Sequence, residues 1–484
     1  MTRRVLLGLL ILWAGAASGC GAAASSATPP SGSTLEATVI DADGDARLER
    51  GPGEPLRPRR ELLDAAPAAR AATATSTFAQ VTDLHIRDEE SPARVPFLDR
   101  VGEPFTSTFR PHEALSHQVA TATVRAINRL DPQAVVISGD LVDSAQSNEL
   151  EGAMAVLNGG RVRPDSGARG YDGVQEGDNP DPLYYRPDSD APRRPGLLER
   201  AQAPFTSPGL DAPWLPVLGN HDVLVQGEVA PNTSLDAAAR GTRVFESLEP
   251  GAEPPTGDED PAAAVQALLD GRIPARERRV PADADRRHLT PEETARRLGR
   301  RLRDGRLDYA ADIGQRVRAI VLDTAQRAGG SRGVVTPDQV DWLRDEVARA
   351  GRRWVVVFSH HSLETSDGGE AALEVLDAAP HVAAAVSGHR HLNSIEPRKT
   401  GGAGYWLVST ASLADFPQQA RAFRLRELTD GGAVLETWMV DHDGRGLAGD
   451  ARALSFIDAQ GGRPRGTSGS VADRNAALYL SPPG

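Results

Sequence analysis

Short apolar runs, each followed by polar side chains, are the most regular pattern along this chain. The runs that are typical of buried strands are residues 78–81, 134–138, 214–218, 354–358 and 382–386. Apolar residues near helical spacing predict a helix within 112–130, and Thr336-Pro337-Asp338 begins another helix with a cap residue and a proline. Later runs at 405–409, 421–426 and 433–440 predict strands of a second sheet. This order of elements predicts an α/β fold in which two packed sheets are flanked by helices.

The polar side chains that follow the first set of runs are ones that bind metal ions. In chain order the segments are Asp83-Leu84-His85, Gly139-Asp140-Leu141-Val142-Asp143, Gly219-Asn220-His221-Asp222, Ser359-His360-His361 and Gly388-His389-Arg390-His391. Carboxylates, imidazoles and an amide oxygen together suit two divalent cations joined by an anionic bridge. The one cysteine, Cys20, lies outside these segments, which excludes a thiolate zinc site and an iron–sulfur cluster.

The spacing within two of the segments strengthens the prediction of a metal site. Residues i and i+2 of an extended segment point the same way, so Asp83 with His85, and His389 with His391, are each expected to converge on a single centre. Mixed oxygen and nitrogen ligands suit Mn, Fe, Zn or Ni, and the sequence does not select among these metals. Asp222 is expected to cap a loop.

The five segments resemble the signature of the calcineurin-like metallophosphoesterase superfamily, which runs D-x-H, G-D, G-N-H-[DE], H and G-H-x-H, over about Thr77 to Asp441. The resemblance implies a four-layer α/β/β/α sandwich of two mixed sheets and a binuclear metal centre. The ligands that it implies are Asp83, His85 and His391 for the first metal, Asn220, His360 and His389 for the second, and Asp140 as the bridge. His361 is the alternative to His360.

The resemblance also implies a reaction, the hydrolysis of a phosphodiester or phosphomonoester by a hydroxide held between the metals. His221 is expected to assist the leaving group as a proton donor or electrostatic partner, and Asn220 and His221 are expected to contact the substrate. Asp143 is the candidate carboxylate that orients His221; the alternative is an aspartate that only forms a turn. The competing interpretation is a non-catalytic metal-binding surface lipoprotein on the same fold, and an enzyme for a non-phosphate ester is a third.

Departures from the family's patterns narrow the subtype. Purple acid phosphatases carry a tyrosine ligand three residues after the bridging aspartate, where this chain has Asp143. The Ser/Thr protein phosphatases continue G-D-x-V-D-R-G, whereas Ser144 and Ala145 follow here. What remains is the broad bacterial group that acts on phosphodiesters, cyclic nucleotides, phosphomonoesters or lipid headgroups, and we expect diester hydrolysis to be at least comparable with monoester hydrolysis.

Charge narrows the class of partner further. The 484 residues carry a formal net charge of −13, and no strongly basic patch lies beside the motifs. A small-molecule or lipid phosphoester is therefore favoured over nucleic acid as the substrate. The oligomeric state is not predicted.

The ends of the chain differ in composition from the part that carries the motifs. Residues 1–20 read as a bacterial export signal, with a partial lipobox in which Cys20 is the candidate lipid attachment site, so the protein is expected on the outer face of the cell membrane or, without lipid, secreted. The predicted organisation continues with a flexible tether at 21–76, one domain at 77–445 and a C-terminal tail at 446–484. Insertions at about 145–212 and 223–305 interrupt the domain, and they either shape the substrate entrance or are surface decoration.

Overall fold

A computed structural model describes residues 30–64, 76–101, 109–253, 261–399, 401, 403–460 and 468–483. The predicted export signal and Cys20 lie outside the described residues. Within the described part of the chain, no helix has the length and apolar character needed to span a membrane.

The strands carry the sheets and the functional segments. They are β1 (Ala37–Ile40), β2 (Glu49–Pro52), β3 (Arg57–Arg59), β4 (Ser76–Val81), β5 (Ala134–Ser138), β6 (Gly160–Val162), β7 (Phe205–Ser207), β8 (Trp214–Val217), β9 (Arg243–Leu248), β10 (Ala275–Arg279), β11 (Tyr309–Ile313), β12 (Val317–Leu322), β13 (Trp354–Ser359), β14 (Val382–Ser387), β15 (Ser394–Arg398), β16 (Tyr405–Ser409), β17 (Gln419–Glu427), β18 (Ala433–Asp441) and β19 (Ala476–Leu480). Each predicted strand is present.

The helices lie mostly between these strands. They are α1 (Ser116–Asn128), α2 (Ser147–Asn158), α3 (Leu197–Gln202), α4 (Thr233–Ala239), α5 (Pro261–Leu269), α6 (Pro291–Arg297), α7 (Pro337–Arg349), α8 (Gly369–Asp377), α9 (Gly446–Gln460) and α10 (Val471–Arg474). Helix α7 begins as the sequence predicts, because the Thr336 side chain accepts a hydrogen bond from the Gln339 backbone N–H at 3.3 Å and Pro337 occupies the first turn.

Two large mixed sheets form the centre of the molecule. Their strand orders are β3-β19-β18-β17-β4-β5-β8 and β11-β12-β13-β14-β16-β15. Strands β4, β5 and β8 are parallel in the first sheet, and β12, β13, β14 and β16 are parallel in the second. The functional segments follow β4, β5, β8, β13 and β14, so they all leave the carboxyl ends of parallel strands, where α/β sheets place their sites.

The core explains why these strands are apolar along their whole length. Phe78 of the first sheet stacks on Phe423 with ring centroids 5.0 Å apart and meets Phe358 of the second sheet edge-on at 6.0 Å. Val355 and Val357, on the other face of β13, pack with helices α7 and α8. Helix α1 covers the outer face of the first sheet. A strand covered on both faces needs apolar residues throughout, and the predicted α/β/β/α sandwich is confirmed.

The N-terminal segment differs from the expected flexible tether, because residues 30–64 contain β1, β2 and β3. Strand β3 pairs in parallel with β19, and Arg474 donates to the Glu54 carboxylate at 3.0 Å. The expected C-terminal tail likewise contains α9 and a strand of the large sheet. Very short strands that pair with distant parts of the chain leave no apolar pattern of their own, which is why the sequence suggested a tether.

The two insertions divide between the core and a separate cluster. Helices α2, α3 and α6 contribute Leu150, Leu197 and Ala295 to the apolar layer that covers the first sheet. In contrast, α4, α5 and the antiparallel strand pair β9–β10 form their own apolar cluster together with residues 93–98. The insertions are attached next to the functional segments: Ala145 N–H donates to the His221 carbonyl at 3.0 Å.

Candidate metal centre

The first two segments are held side by side by backbone hydrogen bonds that continue past their strands. Asp83 N–H donates to the Gly139 carbonyl and His85 N–H to the Asp140 carbonyl, both at 3.0 Å. Their carboxylate and imidazole groups are consequently fixed next to one another. Asp222 caps the neighbouring loop, as predicted, because its carboxylate accepts the N–H groups of Leu141 at 2.8 Å and of Gly219 at 2.8 Å.

Two glycines of the motifs are required by close approach between segments. A Cβ atom on Gly139, whose φ is +98°, would overlap the ring of His360. A Cβ atom on Gly219 would overlap the Asp140 carboxylate. Each glycine therefore gives room to a side chain from a different segment, which is the physical reason for the Gly-Asp and Gly-Asn-His patterns.

The backbone at the site is not extended, contrary to the spacing argument. Asp83, His85, Asp140, His389 and His391 all have φ between 44° and 64°. Left-handed backbone is uncommon for residues other than glycine and clusters at functional sites. Asp83 and His85 still converge, but His389 and His391 belong to different groups of donor atoms, so the expectation that this pair converges on one centre is wrong.

The donor atoms form overlapping groups around Asp83 and Asp140. His391 Nε2 lies 3.2 Å and His360 Nε2 lies 3.9 Å from Asp83 Oδ1. His360 Nε2 lies 3.0 Å and His85 Nε2 lies 3.8 Å from Asp140 Oδ2. The groups that could each hold an ion are Asp83 with His85 and His391, Asp83 with Asp140 and His360, His85 with Asp140 and His221, and His360 with His361 and His389.

Asn220 completes the set of candidate ligands. Its Nδ2 donates to the Gly227 carbonyl at 3.0 Å, which fixes the orientation of the amide. Its Oδ1 is buried and makes no hydrogen bond. A buried amide oxygen without a partner is costly unless it coordinates a cation.

The same test applies to the other ligands, and the residues fit a pair of bound cations. Asp83 Oδ1, His85 Nε2 and His360 Nε2 are buried without a hydrogen bond. Native proteins leave few such atoms, and here they lie together among carboxylates and imidazoles. The donor set is the mixed oxygen and nitrogen type that divalent transition metals prefer.

The protonation equilibria show how strongly these groups interact. Burial alone would raise the pKa of Asp83, but His391 and His360 outweigh it and lower the value to about 2. Burial lowers the pKa of His389 to about 3 and of His85 to about 4. Burial also opposes the charged form of His391, yet Asp415 and Asp83 raise its pKa to about 9. Deprotonated carboxylates and neutral His85 and His389 are the forms that bind metals.

Hydrogen bonds at Nδ1 distinguish the adjacent histidines 360 and 361. His360 Nδ1 lies 2.9 Å from the Ser138 carbonyl, which only accepts, so Nδ1 carries a proton and Nε2, which faces Asp140, is the atom left for a metal. His361 Nδ1 lies 2.9 Å from the Thr324 hydroxyl, which already accepts the His361 backbone N–H at 3.2 Å. A hydroxyl can donate to Nδ1 or accept from it, so this contact leaves the tautomer of His361 open, and His361 Nε2 is also buried without a hydrogen bond.

His221 and Asp143 meet in a different way from that expected. His221 Nδ1 lies 2.7 Å from the backbone carbonyl of Asp143 and 3.8 Å from its carboxylate. The carboxylate instead lies 3.3 Å from Nδ1 of His85. His221 N–H donates to Asp140 Oδ1 at 2.9 Å. Asp143 therefore orients His221 through its main chain and a candidate metal ligand through its side chain.

Several buried residues behind the ligands were missed in the sequence. The Asp415 carboxylate bonds Nδ1 of His391 and accepts from Arg110 Nε at 2.6 Å. Likewise, the Asp143 carboxylate forms ion pairs with Arg87 at 2.6 Å and with Arg94 at 3.2 Å. The available signal for Asp415 was the polar run that follows the strand ending at Ser409, at the same edge as the other segments.

Comparison with solved structures finds similar folds at low identity. A dimetal phosphatase from Danio rerio is 14% identical, with 76% of this chain and 100% of that chain covered and a TM-score of 0.39. A purple acid phosphatase from yellow lupin (Lupinus luteus) is 12% identical, with 76% and 52% covered and a TM-score of 0.30. The Thermus thermophilus sulfate thiohydrolase SoxB is 13% identical, with 82% and 61% covered and a TM-score of 0.31.

These similarities are too distant to assign an activity. No protein-family model and no curated protein matches the chain. The chain's own two-sheet sandwich and the meeting of its five segments agree with the fold and the clustering of ligands that the resemblance to the calcineurin-like metallophosphoesterases implies.

Proposed function

We propose that this protein is a phosphoesterase that depends on two divalent metal ions. The observation that carries the proposal is the convergence of carboxylate and imidazole atoms from separate segments, several of them buried without a hydrogen bond. The proposed ligands are Asp83, His85 and His391 for one metal, Asn220, His360 and His389 for the other, and Asp140 for both. The Ser138 carbonyl holds the Nδ1 proton of His360 and leaves Nε2 for a metal, which supports His360 rather than His361 as the ligand.

Bound cations of this kind lower the pKa of a water molecule and neutralise charge on the phosphoryl oxygens. The protein's own groups would orient the metal ligands and give a proton to the leaving oxygen. The Asp143 carbonyl accepts the Nδ1 proton of His221, so in the charged imidazolium form Nε2 is the atom that can give its proton to the leaving oxygen. The Gly227 carbonyl holds the Asn220 amide with Oδ1 free for a metal.

For the substrate we propose a phosphodiester at least as readily as a phosphomonoester. The support is the absence of the purple acid phosphatase tyrosine, whose position is occupied by Asp143, a buried partner of two arginines. A matched pair of nitrophenyl mono- and diesters, assayed after reconstitution with Mn, Fe, Zn and Ni in turn, tests it. Cleavage of only the monoester under every metal would contradict the diester proposal, and cleavage of neither would contradict the phosphoesterase proposal.

We also propose export with lipid attachment at Cys20, on the sequence pattern alone. Mass spectrometry of the mature N-terminus is the test. An N-terminal peptide that begins after residue 20, without lipid, would contradict it.

A further inference from the structure

Three arginines and three carboxylates form a buried cluster beside the metal centre. Its members are Arg87, Arg94, Arg110, Glu113, Asp143 and Asp415, each no more than 2% exposed. Their formal charges balance. Buried ions are expensive unless they are well paired, so a cluster of this size next to a site needs a reason beyond stability.

One arm of this arginine–carboxylate cluster ends at His85. Arg87 donates to Asp143 Oδ1 at 2.6 Å, and Arg94 donates to Asp143 Oδ2 at 3.2 Å. Asp143 Oδ1 in turn lies 3.3 Å from Nδ1 of His85. A carboxylate that accepts the Nδ1 proton fixes the ring and leaves Nε2 for a metal.

The other arm ends at His391. Arg110 makes a two-bond contact with Asp415, at 2.6 Å to Oδ1 and 3.2 Å to Oδ2. Asp415 Oδ2 bonds Nδ1 of His391. His85 and His391 are the two imidazoles proposed for the same metal, so both are oriented by a carboxylate that arginine holds.

Glu113 joins the two arms. Its Oε2 accepts from Arg87 at 3.0 Å and from the Arg110 backbone N–H at 3.2 Å, and its Oε1 accepts from Arg94 at 3.0 Å. No hydrogen bond of Glu113 to His85 or His391 is found among the described residues. Among the described residues, the Glu113 side chain is linked to the metal centre through the arginines.

We propose that Glu113 is a positioning residue that sets the geometry of His85 and His391 together, through the arginines and the carboxylates of the cluster. The proposal rests on the proposed two-metal function. Removing the Glu113 charge leaves an excess buried positive charge, which Asp143 and Asp415 would move to compensate. Both imidazoles of one metal position would then lose their alignment, while His360 and His389 would keep theirs.

Glu113→Gln, which preserves shape but not charge, tests the proposal with Co²⁺ as the probe metal. Metal-free protein is titrated with Co²⁺ and followed by visible absorption, which reports the coordination of each equivalent. We expect affinity for one equivalent to fall by about 10- to 100-fold with an altered spectrum, and the other equivalent to bind as in the wild type. Unchanged affinity and spectrum for both equivalents would overturn the proposal.

Glu246→Gln is the matched control. Glu246 is also buried and is held by two arginines, Arg276 at 3.2 Å and Arg278 at 2.6 Å, but it lies in strand β9, outside the two large sheets. A merely structural effect of losing a buried ion pair would alter both variants alike, and that result would also overturn the proposal. We expect the control to bind both Co²⁺ equivalents normally.

If Glu113→Gln does not fold, Arg110→Lys tests the link by which the cluster reaches His391. It keeps the positive charge but cannot make the two-bond contact with Asp415. Weaker binding of one Co²⁺ equivalent at an unchanged melting temperature is expected, and normal binding would overturn the proposal. The Co²⁺ titration does not depend on turnover. If the protein binds Co²⁺ but cleaves no phosphoester, the proposed function is wrong, and the titration still tests the role of Glu113.

Discussion

The two halves of the candidate metal centre both use imidazole ligands but support them differently. In the half that contains His85 and His391, each imidazole rests on a buried carboxylate that arginine holds. In the half that contains His360, the imidazole rests on a neutral backbone carbonyl. A carboxylate behind an imidazole makes it a stronger donor than a carbonyl does. The two metal positions are therefore not equivalent, even though each has two imidazoles among its proposed ligands.

The two halves also differ in the interactions on which their stability depends. Breaking a buried ion pair by removing one partner typically destabilises by about 3–5 kcal/mol. The half that contains His85 and His391 therefore depends on the ion pairs that hold Asp143 and Asp415, the carboxylates behind these two imidazoles. The half that contains His360 depends instead on close backbone packing, since Gly139 must lack a Cβ atom.

The largest effect should come from the residue that the two halves share. Asp140→Asn removes the negative charge next to both His85 and His360, and should cost metal in both positions and reduce turnover by on the order of 10³-fold or more. Metal analysis with parallel assays checks this. If the variant holds two metals tightly and turns over at nearly the wild-type rate, the assignment of Asp140 as the bridging ligand is wrong.

His221 should affect chemistry and leave both halves filled. His221→Ala is expected to lower turnover by about 10²–10⁴-fold, with smaller losses for substrates that have good leaving groups, because an acid matters most for a poor leaving oxygen. Rates over a series of leaving groups, with metal content as the control, measure it. A loss that is the same across the series would instead indicate electrostatic stabilisation.

Asp415→Asn should separate the two halves. It removes the carboxylate from behind His391 but touches none of the contacts of His360, so we expect about a 10- to 100-fold loss of affinity for one metal equivalent only. Isothermal titration of metal-free protein checks it. Equal weakening of both equivalents would mean that the halves are not independent.

The smallest effect is expected at His361. Only His360 has its Nδ1 held by a carbonyl, which leaves Nε2 for a metal, so His361→Gln should retain both metals, with affinity changed by less than about threefold, whereas His360→Gln should lose one. Metal content of the two variants decides between the neighbouring histidines. Loss of metal from the His361 variant alone would reverse the assignment.

The sequence predicted the parts of the site that are local. Each ligand segment lies within a few residues of an apolar strand, so the strand and the metal-binding side chain could be recognised together. Arg110 and Asp415 are 305 positions apart, and their contact has no counterpart in spacing. The left-handed backbone of Asp83 and His391 was equally hidden, because the constraint comes from packing between segments.

The pairing of β3 with β19 has a practical consequence for anyone who shortens the protein. A version beginning at Thr77, the predicted start of the domain, would remove β3, one of the two neighbours of β19, and leave β19 as the open edge of the sheet. It would also remove Glu54 from Arg474 and Arg59 from the face of Trp406. Open edges of apolar strands recruit other chains, so the shortened protein should aggregate, and the residues from Pro30 onward belong in any version made for study.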